Sequence, residues 1–209
     1  MLNDLLLALL SAAVFRGLYL AAISAARSGL GPSTPPFISR YVSGVHALAL
    51  VALGLWPAQQ RGEWWVSIAR ALPLGYLAHD THLLFVETSV WDLSALIHHC
   101  VFAVLVSAAA GPYPDHTAQA FLAELSVPFL NAGWVMLKTG NDRRHPWVFR
   151  GVSIILLPTF LKFRVLTFTY FTIEAVVLRE WLLLGPMLSL AVLNWYWFVI
   201  LVRRAVGSG

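Results

Sequence analysis

WDLSALIHHCVFAVLVSAAA, residues 91–110, is an almost unbroken apolar run with a histidine pair, His98-His99, in its first half. A helix crossing the roughly 30 Å hydrocarbon core of a bilayer needs about 20 mostly apolar residues, and this run has that length. Ionisable side chains in lipid are expensive and normally turn inward for a purpose. A neutral core residue would serve packing at less cost, so the two imidazoles mark 91–110 as a membrane helix with a task.

The rest of the chain agrees. It has 209 residues, of which 59% are hydrophobic and 11% charged, and its mean hydropathy is +0.73. Soluble domains average about 25% charged residues, so the composition implies an all-α integral membrane protein. The pI near 9.6 comes from 14 Lys and Arg against 10 Asp and Glu. These cations gather at segment ends, as orientation signals do, and nucleic-acid binding is the less economical reading. A single cysteine, Cys100, excludes an intrachain disulfide. The start MLND has no basic leader, so no cleavable signal peptide is expected and the first apolar segment is read as a span.

Seven segments qualify as transmembrane helices: 3–26, 38–57, 65–86, 91–110, 117–137, 147–177 and 181–202. The sixth is long and holds Pro158, Lys162 and Arg164, which predicts tilt, a kink or a partly extramembrane stretch. Connections such as GLGPSTPP at 29–36 and GPYPD at 111–115 are short and rich in breakers. With seven spans, one side receives Arg27, Arg40, Lys138, Arg143, Arg144, Arg150, Arg203 and Arg204, and the other Arg61, Arg70 and Arg179. The positive-inside rule then places the C-terminus in the cytosol and the N-terminus in the lumen or outside. Trp56, Trp64, Trp65 and Trp181 are expected in the luminal interfacial belt, Trp91 and Trp147 in the cytosolic one.

At 1.5 Å per residue, His98, His99 and Asp80 lie about 10 Å in from the cytosolic ends of their helices, and His46, Asn131 and Asn194 at about the same level. Glu124, Pro128, Asn131 and Lys138 share one stripe, Arg164, Thr167 and Glu174 another, and Tyr76 and Asp80 a third. Such stripes turned inward would enclose a polar-lined cavity reached from the cytosol. Each element has a plainer reading. Asn131 and Asn194 can simply pair between helices, and Arg164 with Glu174 can be a structural ion pair or a snorkelling cation. His79 and His82 flank Asp80 and could serve as ligands, although one can face another helix. His116 and His145 fall in loops and are read as inert.

Together, RYVSGVHA at 40–47, GYLAHD at 75–80, HHCVF at 98–102, ELSVPFLNAGW at 124–134, FLKFRVL at 160–166 and LNWYWF at 193–198 resemble the TLC-domain family. That family includes ceramide synthases and the TLC-domain-containing lipid-regulatory proteins. The resemblance covers about 38–205 and implies a TLC domain there, with 1–37 contributing a first helix and linker outside it. It implies a six-helix barrel, formed by the second to seventh helices, around a cavity for lipid or acyl chains. Endoplasmic reticulum follows from the family alone. Ceramide synthases carry HHxxT and then an HDxSD-like block, whereas this chain has HHCVF and ELSVPF. It therefore looks more like the TLC-domain-containing and ceroid-lipofuscinosis branch.

The expected activity is transfer of a fatty acyl group from acyl-CoA to a lipid amine or hydroxyl. His98 or His99 would act as base or nucleophile, with Asp80 orienting it. His46, Tyr76, Glu124, Ser126, Asn131, Arg164 and Asn194 would bind substrate, and Lys138, Arg143 and Arg144, with His145 beside them, the CoA phosphates. No permanently bound cofactor or metal is expected. The partners are membrane lipids and long-chain acyl groups, and the oligomeric state stays open, a homodimer included. The other class is a non-enzymatic lipid-binding or lipid-sensing protein that regulates membrane composition or traffic. A metal-dependent hydroxylase built on His79, His82, His98 and His99 is the third, with fewer histidines than membrane di-iron enzymes use.

Overall fold

The computed structural model describes residues 2–28 and 34–207; residues 29–33 of the GLGPSTPP connection lie outside the described residues. Among the described residues there are helices and no strands. In order, these are α1 (Leu2–Arg27), α2 (Pro35–Gly54), α3 (Glu63–Val86), α4 (Leu93–Ala109), α5 (Pro114–Leu122), α6 (Val127–Thr139), α7 (Asn141–Arg144), α8 (Pro146–Phe160), α9 (Thr167–Val177) and α10 (Trp181–Gly207). A 3-10 turn, Ala123–Ser126, joins α5 to α6, and a π-helical turn, Leu161–Leu166, joins α8 to α9.

Local chemistry sets these boundaries. Proline stands in the first turn of α2, α5, α6 and α8, where its missing N–H costs nothing. Asp92 caps α4 by accepting from the amides of Ser94 at 2.8 Å and Ala95 at 3.3 Å. Gly140, at φ 69°, ends α6 in the left-handed conformation that glycine adopts without strain.

By length and composition five helical stretches can cross a membrane: Asn3–Arg27, Pro35–Gly54, Pro114–Thr139, Pro146–Val177 and Trp181–Val206. The chain is thus an all-α, multi-pass integral membrane protein. Of the other two expected spans, α4 has 17 residues, and α3 carries Arg70, His79, Asp80 and His82. The stretch from Pro146 to Val177 is helical throughout. Pro158 does not break it, and the π-turn that follows absorbs the irregularity.

Helix contacts close a ring in the order α2, α3, α4, α10, the α8–α9 rod and the α5–α6 rod, which returns to α2. α1 lies outside this ring, along α3 and against α2. Gly75 permits the close approach to α3, because a Cβ there would lie 2.6 Å from the Ala8 carbonyl oxygen. Ser11 fixes the same seam by donating from Oγ to the Leu72 carbonyl at 3.1 Å. Of the expected interfacial tryptophans, Trp56, Trp64, Trp91, Trp147 and Trp181 are exposed. Trp65 is a correction: it is fully buried, its indole N–H donates to the Leu53 carbonyl at 3.1 Å, and it packs beside Phe121. A buried donor with a partner belongs to the core.

Candidate functional site

The ring encloses a cavity of about 480 Å³. Its polar lining comes mainly from α2, α3 and α4, through Ser43, His46, Tyr76, Asp80, His98 and His99. The facing wall of α6, α8 and α10 is largely apolar, with Leu130, Val152, Leu156, Phe160, Ile200 and Leu201. Arg40, Asp92 and Arg204 line it near the helix ends, and Glu124 and Arg164 at its inner limit.

His99 is buried and held at both ring nitrogens. Nε2 lies 3.3 Å from Asp80 Oδ2, and Nδ1 lies 3.0 Å from Thr81 Oγ1. An ionised carboxylate only accepts, so these partners assign the proton to Nε2 and make Nδ1 the acceptor of the Thr81 hydroxyl. Ser39 Oγ donates to the other Asp80 oxygen at 3.5 Å. His98 shares the cavity wall but makes no hydrogen bond among the described residues, and its buried Nδ1 has no partner. Its ring stacks on Phe102, with centroids 5.6 Å apart, and meets Trp197 at 5.6 Å. One imidazole is thus fixed by polar partners and its neighbour by aromatic ones.

A second assembly supports the polar wall. His46 and Tyr76 stack with centroids 3.8 Å apart, and Phe15 of α1 meets both rings edge-on, at 5.6 Å and 5.3 Å. At the inner end, Arg164 projects from the π-turn. Its Nη2 donates to Glu124 Oε1 at 2.8 Å, and its Nε to Ser126 Oγ at 2.9 Å and the Ala123 carbonyl at 3.2 Å. A buried guanidinium needs such satisfaction, and the 3-10 turn presents all three acceptors together. Asn131 donates from Nδ2 to the Arg40 carbonyl at 2.9 Å.

Several expected positions move. Asn194 is buried but does not line the cavity. α10 runs on to Gly207, five residues past the expected end, which leaves Asn194 about 20 Å from that end and a turn beyond Trp197. Arg164 pairs with Glu124 rather than Glu174; Glu174 instead accepts from His116, 2.7 Å away. His116 therefore belongs to α5 and is engaged. His79 turns toward Tyr19 of α1, at 5.6 Å, and His82 is exposed, so neither joins Asp80 in the cavity. Among the described residues no group of three or more His, Cys, Asp or Glu could hold a metal ion. Lys138, Arg143 and Arg144 are exposed near the end of α6 and on α7. Lys138 lies over the ring of Trp134 at 5.9 Å, and Trp134 itself lines the cavity. Thr81, Ser39, Phe15 and Phe102 carry no signal in the sequence, because hydroxyl and apolar residues are ordinary in membrane helices.

The model of the TLC domain matches residues 36–203. The chain belongs to the TLC-domain family. It is therefore a membrane protein of lipid-related function. No curated protein and no solved structure matches it. The TLC-domain match begins at the second residue of α2 and excludes α1, yet α1 reaches the polar wall of the TLC-domain cavity through Phe15.

Proposed function

We propose that the cavity takes a long acyl chain and that the protein transfers it from acyl-CoA to a lipid amine or hydroxyl. The observation carrying this reading is the unbonded His98 beside His99, itself held by Asp80, on the wall of a cavity whose opposite side is apolar. The cavity volume falls within the usual range of small-molecule pockets, about 300–1,000 Å³. A neutral nitrogen of His98 attacks the thioester carbonyl, the C–S bond breaks, and CoA leaves as the thiol with the imidazole proton. The acceptor then displaces the acyl group from His98, forming an amide or ester and returning the proton. His99 and Asp80 take up the acceptor's proton in passing, a task for an imidazole fixed by a carboxylate.

Lys138, Arg143 and Arg144, with Arg40 and Arg204 at the cavity edge, supply cations for the CoA phosphates. Their position fits entry from the cytosol, with the N-terminus luminal and the endoplasmic reticulum as the compartment. CoA enters as donor, and no resident cofactor takes part. Mass spectrometry of the purified protein with acyl-CoA tests the reading. An acyl adduct on His98 that is lost in His98→Ala, with transfer abolished in His98→Ala and His99→Ala, is expected. Full transfer in both variants overturns the mechanism.

One observation favours a second reading, lipid binding without turnover: both nitrogens of His99 are already occupied. A lipid that exchanges freely, with no adduct and no product, would identify that case.

A further inference from the structure

The cavity has two inner limits of opposite character. One is the Arg164–Glu124 ion pair, which an acyl chain cannot pass without stripping a buried charge pair of its partners. The other is Phe102, 3% exposed on α4. Behind Phe102 lies a second void of about 10 Å³, bounded by Leu105, Val106 and Ala109 of α4 with Ala120, Phe171 and Met187. Of the two described linings, Phe102 is the residue common to both.

The stripe of α4 explains the alignment. His98, His99, Phe102, Leu105, Val106 and Ala109 follow helical spacing on one face, so the residues lining the second void continue the α4 wall of the cavity for about 10 Å past Phe102. The void has room for about one water and an almost wholly apolar wall, so it favours hydrocarbon over water. His116 reaches that wall but is engaged with Glu174, and Thr117 donates to the Tyr113 carbonyl at 3.0 Å. The small side chains of Ala109 and Ala120 leave the aromatic ring of Phe102 as the main obstruction.

We propose that Phe102 is the partition that sets the acyl-chain length accepted by the cavity, and that the apolar space behind it is a latent extension of the acyl site. This rests on the reading that the cavity holds an acyl chain. With the ring removed, each further methylene that enters hydrocarbon surroundings is favoured about fourfold.

The test offers the full-length protein, in lipid nanodiscs, an equimolar ladder of saturated acyl-CoAs and reads by mass spectrometry the lengths of the chains retained or transferred. Ratios between lengths are the readout, because Phe102 also stacks on His98 and its loss lowers rates for every chain. Phe102→Ala should move the cut-off to longer chains, with the preference for each added methylene rising about fourfold. Phe102→Leu, which leaves less to collapse, should move it in the same direction by less. Ala120→Leu takes up the space that Phe102→Ala opens, so it should restore the shorter cut-off in the Phe102→Ala background. An unchanged cut-off in folded Phe102→Ala and Phe102→Leu, when the unsubstituted protein takes acyl chains, overturns the partition alone. An unsubstituted protein that takes up no acyl chain overturns the partition together with the reading beneath it.

Discussion

Among the described residues, two histidine–carboxylate pairs join helices. His99 and Asp80 bridge α4 and α3 at 3.3 Å, with side chains 8% and 18% exposed. His116 and Glu174 bridge α5 and α9 at 2.7 Å, 31% and 25% exposed. The shorter contact is the less buried one, and it borders only the small apolar void. The longer one borders the large cavity, next to an imidazole without a hydrogen bond. On the proposed acyl-transfer reading, contact length therefore does not distinguish a working pair from a tie between helices. What distinguishes them is adjacent space for a reactant and a neighbouring group with spare bonding capacity.

The largest effect expected from this contrast is at Asp80. Asp80→Asn keeps the shape but removes the charge that holds the His99 tautomer, and acyl transfer should fall by about 10²–10⁴-fold. The protein should remain folded and able to bind lipid, as judged by retained lipid on purification. An effect of less than a factor of a few would put Asp80 in the same class as Glu174. The next effect is at Phe15, which touches no cavity but supports the His46–Tyr76 stack from α1. Phe15→Ala should slow transfer by roughly 10-fold, short of the 10²-fold that a 1 Å misplacement can cost. The measurement is kcat against KM, and a change in KM alone would limit Phe15 to binding.

Smaller again is the other pair. Glu174→Gln leaves His116 a hydrogen-bonding partner, so it should leave transfer unchanged and lower stability by no more than about 1 kcal/mol in thermal melts. The smallest effect is at Tyr113, in the turn before α5. It donates to Glu180 at 2.8 Å, and that bond, followed by burial and the Glu180 charge, raises its phenol above the usual tyrosine range. A raised value in the folded state stabilises fully below about pH 10 and is lost as pH climbs through the folded value. Tyr113→Phe should remove that share of the alkaline decline in melting temperature, and an identical pH profile in both proteins would leave the contact without consequence.

The parts of this arrangement that were legible in the sequence are those where cost is visible. His98, His99, Asp80, Glu124 and Arg164 are polar in apolar surroundings, and all line the cavity. The helical segments were legible for the same reason, since hydropathy and length set them. Partners were harder. Arg164 and Glu174 share a helical rod, which made them look like a pair. A π-turn lies between α8 and α9, and the 3-10 turn at Ala123–Ser126 offers Arg164 three acceptors from another rod. Asn194 was grouped with the others by counting from an expected helix end at 202, whereas α10 continues to Gly207 and Asn194 lies outside the cavity lining. Thr81, Phe15 and Phe102 were invisible because their importance is wholly a matter of what they touch.

The π-turn at Leu161–Leu166 gives the α8–α9 rod an unusual tolerance for chain length. Such a turn is the imprint of one extra residue in an otherwise regular helix. Each residue in an α-helix advances the rod by about 100° and 1.5 Å. Deleting the surplus residue would thus restore regular winding while leaving Phe168, Phe171 and Ala175 on the core they now fill. Arg164, which the turn itself carries, would instead be rotated off its three acceptors. The extra residue thus aims one side chain, while the winding on either side stays in step.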